Sequence, residues 1–402
     1  MRPKVSIVIP VYNGSNYMRE AIDSALAQTY ENCEVIVIND GSTDEGVTEA
    51  IAKSYGDKIR YFSKENGGVA TAVNMGIEKM TGEYFAWLSH DDVFYPDKIE
   101  KQMKKIFETG EKTAIVHSNF DFYYMNAGKK HCVDWLTQYS LEQLEYSNFA
   151  PVFLCIHGST VLIHKSHFER VGLYDTQLLA TQDSEFLFRV MRGQKSLFVS
   201  ESLMMGRIHN EQGQQTMKCH VPEYNQMFID FCENLTDDEK CAMCGSVINF
   251  YYRLYLILKY SKPANIILDY LKSKIEETSR TNVIEKDKYS LESVFKEQGI
   301  ERVYIFGAGQ YGKETLATLN AYNVKVENFI DNDKNKHGTE IEKIVCCSLQ
   351  NVYDKDNSLV IVAMMHDKEV LNQVEEYGVN HILTCGQLKR MLFKVTPSKF
   401  IL

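Results

Sequence analysis

Short apolar runs alternate with helix-length amphipathic segments over the first 115 residues of the chain. Val5-Ser6-Ile7-Val8-Ile9 is predicted as a buried strand, closed by Pro10 and by Asn13-Gly14. The segment after it sets Met18, Ile22, Ala25 and Leu26 on one helical face, with Ser15 or Asn16 as the cap. Glu34-Val35-Ile36-Val37-Ile38 is a second strand, Val69, Val73, Ile77 and Met80 recur at helical spacing, and residues 84–88 form a further strand. Strands separated by helices imply βαβ units, so the fold class is α/β with a mainly parallel central sheet. Residues 115–117 and 159–163 read as later strands of the same domain.

The pattern turns helical from about residue 212 to about 297 and is most apolar over residues 250–258. That stretch lacks the Lys/Arg-rich face of a membrane-surface helix, so packing against the neighbouring domains is the favoured expectation. A smaller α/β unit starts near residue 298, with strands expected at 303–306, 326–330, 359–363 and 381–383. The expected organisation is therefore a domain over 1–212, a helical region over 213–297 and a second α/β domain over 298–402.

Composition changes little in this picture. The chain is 44% hydrophobic and 24% charged, as a soluble globular protein is. A net charge of −10 argues against nucleic acid or an anionic membrane surface as a nonspecific partner. No window approaches the roughly 18 apolar residues of a spanning helix. Met1-Arg2-Pro3-Lys4 leads straight into a strand, so no cleaved signal is expected. Ten scattered cysteines without secretory context point to reduced thiols and a cytoplasmic location. Cys241 and Cys244, with Cys219, His220 and Cys232 upstream, have metal-like spacing. The second half of a zinc pattern is missing, and packed thiols are expected instead.

Three polar clusters fall at carboxyl ends of predicted strands: Tyr12-Asn13, Asn39-Asp40-Gly41-Ser42 and Ser89-His90-Asp91-Asp92. In a parallel sheet such ends converge on one edge, which describes a polar site for a phosphorylated or hydroxylated ligand. Two adjacent carboxylates repel unless a cation or protons relieve them. A hard divalent cation shared with substrate phosphates is one explanation for Asp91-Asp92; a cap on the following helix is the other.

With these pieces go Val8-Ile9-Pro10-Val11-Tyr12-Asn13, Gln28-Thr29-Tyr30, Asp40-Gly41-Ser42-Thr43-Asp44, Asn66-Gly67-Gly68, Asn74-Met75-Gly76, Gln182-Asp183 and Arg207-Ile208-His209-Asn210. In this order and spacing the chain resembles, over about residues 4–210, the inverting family 2 glycosyltransferases of GT-A fold. The resemblance implies a nucleotide-sugar donor, with a UDP-sugar the family-weighted expectation, and a glycan or lipid-linked acceptor. It also implies Mn2+ or Mg2+ as cofactor and a role in bacterial surface-polysaccharide assembly, in the cytoplasm or peripheral at the inner face of the membrane. Docking to other assembly enzymes and oligomerisation are compatible with it.

The implied roles are residue-specific. Pro10, Tyr12, Asn13 and Asp40 would line the nucleotide pocket, although Asp40 could equally stabilise its own turn. Asn66, Asn74, Ser89, His90 and Arg207 would also contact substrate. Asp91, Asp92 and His209 would hold the metal, with His209 alternatively a phosphate donor. Asp183 is the candidate general base, Glu185 its rival, and a first-turn helix acid the structural alternative. Ser89 departs from the family pattern, which has an Asp there, so Asp91 and Asp92 must do most of the holding. Acceptor specificity is expected within residues 118–180, including His157-Gly158-Ser159-Thr160. The alternative function is a nucleotide-sugar-binding subunit that scaffolds an assembly complex without transferring sugar.

In the last domain, Gly307-x-Gly309-x-x-Gly312 follows a strand and opens a helix, and Asp331 ends the next strand, the context of a dinucleotide fingerprint. This Rossmann-like unit resembles the small nucleotide-binding-like domain in front of bacterial sugar acyltransferases. Nucleotide binding, a docking role and NAD-linked redox chemistry are the three readings, the last without any visible hydride-transfer acid or base.

Overall fold

The structure is a computed structural model and describes residues 2–210, 212, 217–259, 264–281, 291–322, 324–364 and 368–388. It divides into two compact units. The first comprises residues 1–136, 141–235 and 257–268, and the second 137–140, 236–256 and 269–402. The region expected as a helical linker is thus not one body. Its helices are shared between the units, and the first unit runs on through helix His220–Asn234.

The strands of the first unit are β1 (Val5–Val11), β2 (Cys33–Asp40), β3 (Arg60–Lys64), β4 (Tyr84–Trp87), β5 (Val93–Phe94), β6 (Ile115–Tyr124), β7 (Lys129–Cys132), β8 (Ile163–His164) and β9 (Ser196–Ile208). Its central sheet has the order β3-β2-β1-β4-β8, with β8 alone antiparallel to its neighbour. The second sheet, β5-β9-β6-β7, is built on the long parallel pair β6–β9. An isolated bridge between Val116 and Leu162 joins the two. The expected α/β class with a mainly parallel sheet is what is found.

The apolar runs explain the layers. β1 and the last six residues of β2 are wholly buried, because helices cover both faces of the sheet. One face packs α1 (Met18–Leu26) through Met18, Ala21, Ile22 and Ala25, and the other packs the Ala70, Val73 and Ile77 side of the helix Val69–Lys79. Neither Ser15 nor Asn16 caps α1: the residue before it is Tyr17, and its side chain makes no capping bond. Strands β3 and β9 carry no clean apolar signature and were not expected, and the strand predicted at 159–163 is reduced to two residues behind a turn at Gly158–Thr160.

The second unit has the sheet order β12-β13-β11-β10-β14-β15, from β10 (Arg302–Phe306), β11 (Asn328–Ile330), β12 (Glu340–Ile341), β13 (Ile344–Cys347), β14 (Ser358–Val362) and β15 (His381–Thr384). All pairings are parallel except β12–β13. The chain therefore winds outward from β10 in both directions, as doubly wound sheets do. Among the described residues no single helix is long and apolar enough to cross a membrane. A pair bent by 66°, Asp237–Cys244 with Val247–Leu258, meets the length and composition criterion together. In the second helix of that pair Phe250, Leu254 and Leu258 are buried.

Candidate active site

Parallel topology brings the ends of β1, β2 and β4 to one edge, and the end of β9 joins them through β5, which precedes the helix Lys98–Thr109. Just beyond β1, Tyr12 is 46% exposed, and Asn13 adopts a left-handed φ of 49°. The Asn13 amide grips the next strand end: its Oδ1 accepts from Thr43 N at 2.8 Å, and Ser42 Oγ accepts from Asn13 N at 2.9 Å. This pairing fixes the turn and leaves the Tyr12 ring as the open face of the pocket. Pro10 is buried within β1 itself.

Asp40 is placed at the expected strand end but is only 3% exposed. Its carboxylate accepts from Lys64 Nζ at 2.6 Å, Gly67 N at 3.1 Å and Gly68 N at 2.8 Å. It therefore ties down the loop that carries exposed Asn66, which is the turn-stabilising alternative in a longer-range form. Asn74 is likewise committed: it accepts from Tyr174 N at 2.9 Å and donates to Tyr174 O at 2.8 Å. Both ends of its amide are spent on one backbone position, so it clamps the site wall and is not offered to a substrate.

The adjacent acids at the end of β4 part company. Asp91 faces the site, where His209 Nε2 lies 3.2 Å from its Oδ2. Asp92 turns inward and is 2% exposed, its two oxygens accepting from Arg207 N and Ser159 Oγ, each at 3.2 Å. Burial, reinforced by the Asp91 charge, raises the Asp92 carboxyl well above the usual carboxylate range. Burial also works to raise Asp91, but the charge of His90 and the His209 hydrogen bond outweigh it and hold Asp91 low. The two acids are thus pushed apart, Asp92 upward and Asp91 downward, which eases the repulsion expected between them. The metal role expected of Asp92 is not what its contacts show: its oxygens are engaged by Arg207 N and Ser159 Oγ, and among the described residues no group of three His, Cys, Asp or Glu side chains is gathered here. Nor does Asp92 cap the following helix, which starts at Lys98 after Asp97.

Asp91 and His209 remain as a two-donor corner. A hard divalent cation commonly takes one or two protein carboxylates and completes its shell with water and substrate phosphates, so this pair fits a substrate-completed site. The rest of the expected set packs around it. The Arg207 guanidinium is buried, bonded to Asp91 O at 2.5 Å and to the Glu20 carboxylate, and lies over the Tyr17 ring. It positions the Asp91 turn. The His90 ring lies against Gly14, where an added Cβ would come within 2.6 Å of it, so His90 also packs the turn. Ser89, short of the charge an Asp would bring, donates its backbone N–H to Ser159 Oγ at 3.4 Å.

Asp183 opens the helix Gln182–Met191. Its Oδ1 accepts from Ser184 N at 2.8 Å, and a Cβ on Gly158 would stand 3.6 Å from both Oδ2 and the Trp87 ring. The rival acid is eliminated by its neighbour: Arg189 holds Glu185 with bonds of 2.7 and 2.9 Å and also bonds the carbonyls of Val171 and Leu173. The chain before Asp183 is anchored by Glu223, which accepts from Leu179, Ala180 and Thr181 N.

The structure also brings in residues whose roles the sequence left unread. The turn Gly158–Thr160 touches both halves of the site, Ser159 bonding Asp92 while Gly158 lies against Asp183. His157, just before it, has its Nε2 4.0 Å from Asp92 Oδ2. Burial keeps its ring below the usual His range, against the opposing charges of Asp183 and Asp91. Glu20 and Tyr17 act through Arg207 and His209 over separations no local pattern reports.

The glycine loop of the second unit is used up by its own packing. A Cβ on Gly312 would lie 1.9 Å from Gly307 O, and Gly307 itself has φ 105° with Ala363 O 2.7 Å from its missing Cβ. Asp331, expected at a ribose, accepts from Ala308 N, Lys336 Nζ and Asp333 N at 2.8–3.0 Å. Only Gly309 faces open space. Cys241 is exposed and Cys244 buried, with no metal-holding group among the described residues.

Residues 6–172 match the family model for glycosyl transferase family 2, and residues 299–382 match one described as C2185-like, N-terminal. An uncharacterized glycosyltransferase of Rickettsia prowazekii is 44% identical over 292 residues, 72% of this chain and 91% of that protein. One from Rickettsia bellii is 45% identical over 251 residues, but the match spans only 36% of its length. Among solved structures, a mannosyltransferase of Pyrobaculum calidifontis in complex with GDP-Man and Mn2+ superposes with TM-score 0.48 at 16% identity, covering 80% of this chain and 85% of that one. By the family match and by identity over nearly the whole of the R. prowazekii relative, the chain belongs to glycosyl transferase family 2.

Proposed function

We propose that the site transfers a glycosyl residue, with inversion and with Mn2+ or Mg2+, from a nucleotide sugar of the UDP class to a hydroxyl of a glycan or lipid-linked acceptor. Bacterial surface-polysaccharide assembly at the cytoplasmic face of the membrane is the setting in which such donors and acceptors meet. The single observation that carries the reading is the turn Gly158–Thr160, which touches the Asp91-Asp92 corner on one side and Asp183 on the other. A sugar held between them would have its leaving group and its attacking hydroxyl on opposite sides, the arrangement that inversion requires.

Asp91 and His209 would hold the divalent ion at the diphosphate, where its charge stabilises the departing nucleoside diphosphate. Tyr12, exposed beside the Asn13 turn, offers a face on which the base stacks. Asp183 Oδ2, its other oxygen engaged by Ser184 N, takes the acceptor proton as the new bond to the anomeric carbon forms. The bond to the diphosphate oxygen breaks with its electron pair leaving on the phosphate.

Release of nucleoside diphosphate from a panel of nucleotide sugars with Mn2+, with Asp183→Asn and Asp91→Asn alongside, tests the reading. Turnover of one donor class that both substitutions abolish is expected. Binding of the nucleotide sugar without any turnover would establish the scaffolding alternative instead.

A further inference from the structure

His157 caps the turn Gly158–Thr160, which touches both halves of the proposed site, and has no part in the chemistry assigned above. Its Nδ1 accepts the backbone N–H of Ser159 at 3.2 Å. A ring nitrogen that accepts an amide hydrogen carries none of its own, so the neutral imidazole bears its proton on Nε2. The ring is fixed on its other side by Phe120, with centroids 5.6 Å apart. Nε2 then points past Asp92, whose Oδ2 at 4.0 Å is beyond hydrogen-bonding distance. The side chain is one-third exposed, and no acceptor among the described residues lies within hydrogen-bonding distance of this N–H. The result is a locked donor with no acceptor among the described residues, and the charges of Asp183 and Asp91 both act on its ring.

Accepting transfer from a nucleotide sugar as the reaction, the glycosyl residue must occupy the space between the two acids. We propose that His157 is a specificity-determining residue that donates its Nε2–H to one hydroxyl of the sugar being transferred. The locked tautomer denies it the role of base, because Nε2 already holds its proton. Ser159 serves it twice, supplying the N–H that sets the tautomer and the hydroxyl that holds Asp92 behind it.

Two near-isosteres separate the donor from the shape. Gln places an amide N–H close to the position of Nε2, whereas Asn reaches only to that of Nδ1. With the nucleotide sugar that the wild type turns over best, His157→Gln is expected to keep kcat/KM within about fivefold. His157→Asn is expected to lose about 10- to 100-fold, the usual cost of an unmatched substrate hydroxyl. Monodeoxy analogues of the same donor then identify the partner. One deoxy position should cost the wild type that factor and cost His157→Asn nothing further, while affinity for the free nucleoside diphosphate stays unchanged in every variant.

Equal losses in Gln and Asn, or equal penalties for every deoxy analogue in both proteins, would overturn the assignment while leaving glycosyl transfer intact. Absence of turnover by the wild type with any donor would instead remove the functional reading on which the assignment rests.

Discussion

The two units present the same design to different ends. Each winds a parallel sheet so that strand ends meet at one edge, and each places a glycine-containing turn and an acid there. In the first unit several of these polar groups have capacity to spare: Asp183 Oδ2, the Asp91–His209 corner, His157 Nε2 and the Tyr12 ring. In the second unit both oxygens of Asp331 are engaged, by Ala308, Lys336 and Asp333, and two of the three motif glycines serve close packing. The contrast teaches that topology makes a crevice, whereas function needs hydrogen-bonding capacity that the fold has not consumed. Asp40 shows the same rule inside the first unit, a motif residue turned into a tie for its neighbouring loop.

The sharpest way to break this comparison is to remove an unspent group and a spent one. Asp183→Asn should lower transfer by about 10²- to 10⁴-fold, the usual worth of a positioned base, in a nucleoside-diphosphate release assay. Glu185→Gln, which loosens only the Arg189 clamp, should keep catalysis within about threefold and lower the melting temperature slightly. A larger effect of Glu185→Gln than of Asp183→Asn on kcat would reverse the assignment.

Next in size is Lys98, a buried lysine of the first unit with no carboxylate beside it among the described residues. Lys98 is 0% exposed, bonds Gln102 Oε1 at 2.7 Å and lies over the Phe94 ring, and burial lowers it to about 7. The unfolded chain, with Lys at its ordinary value, then binds more protons than the folded one between about pH 7 and 10.5. Stability must rise with pH across that window and carry its full penalty below it. Lys98→Met should stabilise the first unit by ~3 kcal/mol at pH 7 and flatten the rise, as read by chemical unfolding at pH 7 and 9.5. An equal pH slope in both proteins would show that Lys98 is charged and compensated in the fold.

In the second unit the glycines divide in the same way. Gly312→Ala drives a methyl into Gly307 O and should cost about 3 kcal/mol, seen as faster hydrogen exchange across β10 and β14. Gly309→Ala meets open space and should be neutral or stabilising by about 0.5 kcal/mol. Should the loop hold a nucleotide after all, the roles exchange: Gly309→Ala would abolish binding of a nucleotide added to the folded protein.

What could be read from the chain follows the range of the forces involved. The runs at β1, β2 and β4 announce themselves because a strand buried on both faces is apolar at every position. The convergence of Asp40, Asp91 and Tyr12 follows from parallel topology alone. The alternation of side chains does not say which of two adjacent acids turns inward, since that depends on Ser159 and Arg207 far along the chain. Long β9 was missed because its polar stretch, Ser200-Glu201-Ser202, interrupts the pattern where the register with β6 shifts. His157 sits in a turn, where periodicity has nothing to report, and its meaning comes only from the acids around it. Asn74 reads as a ligand of a substrate because a motif records position and not what a side chain already holds.

The turn at Gly158–Thr160 joins the two ends of the site through one rigid peptide segment. Any substitution that reshapes it to admit a different sugar also moves the wall behind Asp183 and the support beneath Asp92. Donor preference and turnover rate are therefore expected to be epistatic in this protein. Variants selected for a new donor should arrive slow and recover speed only through second changes in the surrounding shell.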